Sequence, residues 1–196
     1  MFPGQRRLAF ACFLVVLTLA AGCGDDPPQI EIQQAQSAIE AARTAGADEY
    51  AHDELAAAES ALVRARTAVD ERDYRLALNN SLDSRERAQT ASAEAASEKA
   101  AARAEAERAL GGAAATLADV QARLKVAQAG GVPAAKLAAA RRGIAAGDQA
   151  LQKARAAFNQ GRFRAVPPTL TAPIASLAVI SRDLEGPPRQ APRRPR

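Results

Sequence analysis

Cys23 is the residue whose type and neighbours point most directly to a chemical reaction. It follows the small residues Ala20, Ala21 and Gly22 at the end of a short, almost wholly apolar stretch that begins at Leu8. Arg6 and Arg7 place positive charge before that stretch. A charged start, a short apolar segment and small residues before a cleavage point are the signature of a secretory signal peptide, whereas a bilayer-spanning helix needs about 20 residues. We therefore expect residues 1–22 to be a signal peptide.

The segment resembles the signal peptides of bacterial lipoproteins, with Leu19 upstream of Ala20, Ala21, Gly22 and Cys23. The resemblance implies that a diacylglyceryl group is attached to the Cys23 thiol, and that cleavage before Cys23 makes it the N-terminus of a lipid-anchored chain. Residues 23–29 would then form a short tether. Two alternatives remain at this point: an uncleaved signal anchor, or cleavage by the ordinary signal peptidase to give a soluble periplasmic protein.

Gly24 bears on the membrane in which such a lipoprotein would reside. In envelopes with the Lol pathway, aspartate directly after the lipidated cysteine commonly retains a lipoprotein in the inner membrane. Because glycine occupies this position, the resemblance implies an outer-membrane location facing the periplasm.

The cysteine count agrees with a lipid on Cys23. The chain contains only Cys12 and Cys23, and Cys12 would leave with the signal peptide. A mature chain with a single cysteine cannot form an internal disulfide, even in an oxidising compartment. Metal binding by several thiolates is excluded for the same reason.

The other polar residues indicate helix surfaces rather than catalytic groups. His52 is the only histidine and falls at a predicted helix start among charged residues. From Arg85 to Arg108, acidic and basic residues alternate at i,i+3 and i,i+4 spacings, which is typical of a solvated helix face. Gly111 opens the sequence "GGAAA", which lacks the lysine and the strand of a phosphate-binding loop. We therefore expect a non-enzymatic protein without catalytic residues, cofactor, metal site or small-molecule substrate.

The C-terminal segment, residues 186–196, is the candidate contact with anionic surfaces. Its four prolines favour an extended, disordered chain. Its arginines could contact anionic lipid headgroups or another polyanion, at about 1 kcal/mol each near a charged membrane. These arginines are Arg189, Arg193, Arg194 and Arg196. A solubilising end without a ligand is the alternative. The chain before this segment is slightly acidic once residues 1–22 are removed, so we expect no nucleic-acid partner.

Alanine-rich heptads define the elements that must carry these residues. Aromatic residues make up only 4% of the chain, whereas alanine is the best helix former. Small and apolar residues recur at alternating three- and four-residue steps, which favours left-handed, coiled-coil-like packing. The predicted seams are Ile32, Ala35, Ile39 and Ala42; Leu55, Ala58, Leu62, Ala65 and Val69; Ala77, Ser81, Ser84, Ala88, Ala91, Ala95, Ala102 and Ala109; Leu117, Val120, Leu124 and Ala127; Leu137, Ala140, Ile144, Gly147, Leu151, Ala154 and Phe158; and Phe163, Val166, Leu170, Leu177, Ile180 and Leu184.

Turn signals separate these seams. Gly46, the pair Gly111-Gly112, the sequence "GGVP" at 130–133 and Gly161 each interrupt the heptads, and Tyr74 opens the third helix. Each interruption predicts a turn between neighbouring helices.

An internal repeat accompanies the turns. A shift of 89 residues places the turn "ERDYRLA" on "QGRFRAV" together with the helix before each, while the first helices align at a shift of 85. The two shifts differ by four residues, about one helical turn, which either the loop or a longer second helix would absorb. The alternative is that any alanine-rich heptad sequence aligns with itself. We predict an all-α, antiparallel, coiled-coil-like bundle, with one three-helix unit over 30–110, a second over 111–185, and a long Ala-rich helix that joins them.

The stretch from Asp83 to Ala109 contains no large apolar residue, and no glycine or proline. A helix here can persist through propensity and side-chain pairs, but it can bury little area. We therefore expect weak packing over this stretch and a semi-rigid connector between the two units.

A family resemblance covers about Ile30 to Leu110. The sequence "GADEYAHDELAAAESALVRARTAVDERDYRLA" resembles the bacterial family called domain of unknown function 4398. Its members begin one helix with a Tyr-Ala-Pro-x-x-Leu-like motif and precede the next with Gly-Asp-Tyr. The matching residues are Tyr50, Ala51, Leu55, Asp73 and Tyr74, while His52 and Arg72 stand where the family often has proline and glycine.

The resemblance implies a place in the cell envelope, because family members are often exported lipoproteins or lie beside outer-membrane modules. The family offers no catalytic residues. We expect a helical spacer, scaffold or partner-binding module anchored in the membrane by its N-terminal lipid, with an envelope protein as a possible partner. The alternative is a periplasmic chaperone-like or adaptor protein that binds a partner in grooves between helices.

Overall fold

The structure of the protein is a computed structural model that describes residues 26–185. Within this range the chain is α-helical apart from its turns, which confirms the predicted all-α bundle. The helices are α1 (Gln29–Ala45), α2 (Ala47–Tyr50), α3 (His52–Asp70), α4 (Tyr74–Ala129), α5 (Ala134–Asn159) and α6 (Val166–Glu185), with a short 3-10 turn at Phe163–Ala165. The chain forms two compact units, whose boundary lies between Ala96 and Ser97 within α4.

The first unit packs α1, α3 and the beginning of α4 around small side chains. All predicted seam residues of α4 from Ala77 to Ala95 are fully buried. Ser84 in this seam donates a hydrogen bond of 2.8 Å to the backbone carbonyl of Ala58 in α3. A side chain as short as serine reaches a neighbouring backbone only when the two helices approach closely. The small seam therefore produces the close packing that its composition predicts.

The second unit packs the end of α4, α5 and α6 around larger side chains. Gly147 lies at the centre, where a Cβ atom would be 2.9 Å from a methyl group of Leu117 in α4 and of Leu177 in α6. Glycine at this position lets three helices share a core of branched residues. The largest buried side chains of the unit include Val120, Val166, Leu170 and Leu177.

The pattern of burial supports the internal repeat. The buried residues of α3 are Leu55, Ala58, Ala61, Leu62, Ala65 and Ala68. A shift of 89 places them on Ile144, Gly147, Ala150, Leu151, Ala154 and Ala157, all of which are buried in α5. The same positions are therefore buried in the second helix of both units.

The four-residue difference between the two shifts arises because the second helix of the second unit is longer than that of the first. α3 has 19 residues and α5 has 26. In the first unit the short helix α2 separates Gly46 from α3, whereas α5 begins directly after the turn at 130–133. The second helix of the second unit is thus extended at its N-terminus, as one of the two sequence-based options allowed.

The predicted interruption at Gly111-Gly112 is wrong, because α4 runs without a break through both glycines. Both residues are exposed, and neither would bring a Cβ atom within 4 Å of another group. Glycine in a helix interior costs only about 1 kcal/mol relative to alanine, and strong helix formers flank the pair. Accordingly, the two compact units divide at 96/97 rather than at the predicted 110/111.

The prediction of weak packing from Asp83 to Ala109 is also too broad. Ser84, Ala88, Ala91 and Ala95 have no exposed surface. Residues 96–105, in contrast, include no buried side chain. The sparsely packed part of α4 is therefore limited to these ten residues, because alanine and serine are enough to fill a seam when the partner helix lies close.

Candidate functional site

Two predicted sites lie outside the described residues. Cys23, the expected lipidation site, precedes residue 26, and the four arginines of the tail, Arg189, Arg193, Arg194 and Arg196, follow residue 185. α1 begins at Gln29, so only a few residues separate the expected lipid from the first helix. The lipid and the anionic contacts remain predictions.

His52 is the first residue of α3, and its side chain is exposed. Within residues 26–185, no group of three or more histidine, cysteine, aspartate or glutamate side chains has an arrangement that could hold a metal ion. Gly111 and Gly112 are helical, so the "GGAAA" sequence does not form a phosphate-binding loop. The residues singled out for possible chemistry are not brought together.

Exposed ion pairs occupy the charged face of α4. Arg103 bonds Glu107 at 3.0 Å, and Arg87 bonds Asp83 at 2.9 Å, both at the i,i+4 spacing seen in the sequence. Arg64 of α3 reaches the same Asp83 at 3.3 Å. Exposed pairs of this kind contribute about 0–1 kcal/mol each. Their arrangement is that of a solvated helix surface, as the charge spacing predicts.

The family-like turn before α4 has a defined structural role. Asp73 accepts a hydrogen bond of 2.9 Å from the backbone N–H of Leu76, which caps the N-terminus of α4. Arg72 adopts a left-handed backbone with φ of 61°. The N–H groups of Arg72 and Asp73 bond the carbonyls of Val69 and Ala68, closing the end of α3 as a Schellman motif. The glycine that the family often has at this position fits that conformation without strain.

The same turn recurs in the second unit. Gly161 has φ of 75°, and the N–H groups of Gly161 and Arg162 bond the carbonyls of Phe158 and Ala157. These residues lie 89 positions after their counterparts. Phe163 replaces Tyr74, and its ring packs edge-on against Phe158 with centroids 5.2 Å apart. The turn is a common architectural element of both units.

The family-like helix start is a packing feature. Tyr50, Ala51 and Leu55 are all buried, with at most 6% of any of them exposed. His52 occupies the first helical position. Proline is favoured at this position because the backbone N–H of the first helical residue has no partner within the helix, so proline loses no hydrogen bond by lacking it. The matching residues therefore stabilise the entry to α3 by packing.

An open groove of about 370 Å³ lies between α4 and α5 in the second unit, and we call it the basic groove. Its apolar lining is Leu124, Ile144 and Ala145, and its polar rim is Gln121, Lys125, Gln128, Arg141 and Asp148. Both cationic side chains of the rim are exposed. Sequence reasoning missed this groove, since its rim comes from two separate helices.

The corresponding place in the first unit is bridged. Arg43 of α1 bonds Glu59 of α3 at 2.6 Å and Glu40 at 2.8 Å. The hydrogen bond from Arg43 to Glu59 raises the pKa of Arg43. At the repeat-equivalent positions the second unit has Gln128 and Asp148, and the described structure has no hydrogen bond or ion pair between them. The two units thus differ in whether this face is spanned by an ion pair.

The segment Phe163–Leu184 is, among the described residues, the single helical stretch long and apolar enough to cross a membrane. Its apolar face packs within the second unit, where Val166, Leu170 and Leu177 are at most 2% exposed. Only 22% of this apolar stretch is buried, so packing within the unit accounts for one face of the helix and not for its whole apolar content.

The described residues form two three-helix units, the first built on a seam of small residues and the second on larger apolar side chains. Residues 31–109 match the family described as Domain of unknown function (DUF4398). The match covers fewer than half of the 196 residues, and it agrees closely with the extent of the predicted resemblance. No curated protein and no solved structure is significantly similar to the chain.

Proposed function

We propose that the protein is a non-enzymatic lipoprotein of the cell envelope, anchored by a lipid on Cys23, and that its helical units act as a spacer, scaffold or partner-binding module. The observation that carries the proposal is the order of a basic start, a short apolar segment, three small residues and Cys23. The short distance from Cys23 to α1, which begins at Gln29, supports it, because an anchored domain needs only a short tether.

Mass spectrometry of the N-terminal tryptic peptide tests the anchor. Trypsin should release Cys23–Arg43, since no lysine or arginine lies between these residues. We expect this peptide to carry the mass of a diacylglyceryl group. Cys23→Ser should abolish the lipidated peptide and the membrane association that depends on it. Cys12→Ser is the matched control and should leave both unchanged, because residue 12 lies in the segment expected to be removed.

Detection of an unmodified thiol at residue 23 in a soluble, processed chain would contradict the anchor and would favour the periplasmic adaptor.

If the lipid is present, Gly24→Asp tests the membrane of residence. We expect the protein in outer-membrane fractions and the variant in inner-membrane fractions. Recovery of the native chain in the inner membrane would contradict the proposed location.

A further inference from the structure

The two units carry opposite net charges. The described residues of the first unit, 26–96, include seven basic and fourteen acidic side chains, which gives a net charge of −7. Those of the second unit, 97–185, include thirteen basic and seven acidic side chains, which gives +6. Because the two values nearly cancel over the chain, the division is invisible in the overall charge.

The basic groove is a concave feature of the positive unit. Lys125 of α4 and Arg141 of α5 both line it, and Asp148 is the single acidic residue of its lining. Its volume of about 370 Å³ is near the lower limit for small-molecule pockets, which enclose about 300–1,000 Å³. The groove is open along its length, so it suits a row of side chains on another protein better than an enclosed ligand.

The first unit presents an acidic segment, which we define as Asp48, Glu49 and Asp53. All three side chains are exposed, at the junction of α2 and α3. α2 has no counterpart in the second unit. The first unit therefore has a compact acidic surface at a place where the repeat has diverged.

We propose that the basic groove binds the acidic segment of a second copy of this chain, so that copies associate head to tail. Opposite charges steer such an encounter and set its register, while pairing of two like units is disfavoured by repulsion. A contact between two different surfaces of the same chain is heterologous, and it can extend to further copies. This association does not depend on the lipid anchor.

Photo-crosslinking of the full-length chain tests the contact. A benzophenone amino acid replaces Gln128 at the rim of the groove, and a control replaces Val126, which is 73% exposed on the opposite face of α4. Irradiation of the cell fraction that contains the protein, at low ionic strength, should give a product of twice the chain mass from position 128. We expect about tenfold less from position 126. The partner peptide should be 44–64, which contains the acidic segment.

Charge reversal provides the second readout. Lys125→Glu with Arg141→Glu should reduce the dimer product about tenfold, equivalent to about 1.4 kcal/mol, because both substitutions replace attraction to the acidic segment by repulsion. Adding Asp48→Lys and Asp53→Lys to the same chain should restore it. About 1 M salt, where the Debye length is about 3 Å, should weaken the native product. Circular dichroism of each variant checks that the helices are retained.

Two crosslinking results would overturn the proposal: a crosslink within one chain, or a product that contains a different protein. Two results of charge reversal would also overturn it: a dimer product that salt and charge reversal leave unchanged, or a charge-swapped chain that does not regain the dimer. None of these bears on lipidation of Cys23, so failure of this proposal and failure of the proposed anchor are distinguished.

Discussion

At the scale of single residues, Arg72 holds a conformation that L-amino acids adopt at a cost. Its φ of 61° closes α3, and Gly161 does the same for α5 with φ of 75°. A left-handed conformation costs an ordinary residue about 1–2 kcal/mol. Glycine avoids this cost but loses about 0.5–1 kcal/mol more in backbone entropy. The strain energy of arginine exceeds the entropic cost of glycine, so the first unit should be more stable with glycine at residue 72 than with arginine.

Arg72→Gly should stabilise the first unit by about 0.5–1 kcal/mol. Gly161→Ala, the matched change in the other direction, should destabilise the second unit by about 1 kcal/mol. Urea unfolding followed by circular dichroism measures both. A lower midpoint for Arg72→Gly would show that the arginine side chain supports the turn through contacts that outweigh its backbone strain.

At the scale of the helices, α4 changes its character along its length. Its seam is fully buried from Ala77 to Ala95, no side chain is buried over 96–105, and buried residues return at Ala106. Local opening is easiest where buried contacts are few. The helix is continuous in its hydrogen bonds, yet its resistance to opening should vary from segment to segment.

Hydrogen exchange measures this variation. Amides of residues 97–105 should exchange faster than those of 84–95 in the same helix, because the alanine and serine seam holds the earlier segment against α3. Mass spectrometry of overlapping peptides resolves the two segments. Equal protection along both would mean that helix propensity alone governs the opening of α4.

A second prediction at this scale concerns equivalent leucines. Leu62 of α3 and Leu151 of α5 are 7% and 5% exposed and lie 89 residues apart. Truncation of a buried leucine to alanine costs about 2–5 kcal/mol. Leu151→Ala should be the more damaging, because it lies in a core with branched residues such as Leu170 and Leu177. Thermal unfolding of the two variants compares them, and equal, near-zero shifts would contradict a packed seam in both helices.

At the scale of the whole molecule, heptad spacing was enough to predict the seams and most of the turns. Gly46 and Tyr74 lie where helices end and begin, because glycine and helix-starting patterns act locally. Gly111-Gly112 misled the prediction, since a cost of about 1 kcal/mol per glycine is too small to end a long alanine-rich helix.

The basic groove depends on geometry that spacing does not supply. Lys125 and Arg141 come from different helices, and nothing in their own sequence neighbourhoods pairs them across a groove. The opposite charges of the two units were readable from the sequence, but only after the boundary at 96/97 was known. The predicted sites at Cys23 and in the arginine tail rest on sequence alone, since they lie outside residues 26–185.

The seam of small residues in α4 also governs how stability changes with temperature. The heat capacity of unfolding rises with the apolar area exposed, at about 12–15 cal/mol/K per residue in ordinary domains. From Ala77 to Ala95 the seam buries only alanine and serine, whereas Val166, Leu170 and Leu177 fill the equivalent seam. We therefore expect the first unit to have the smaller heat capacity change and the flatter stability curve. On cooling, when hydrophobic stabilisation weakens, we expect the second unit to lose more stability than the first.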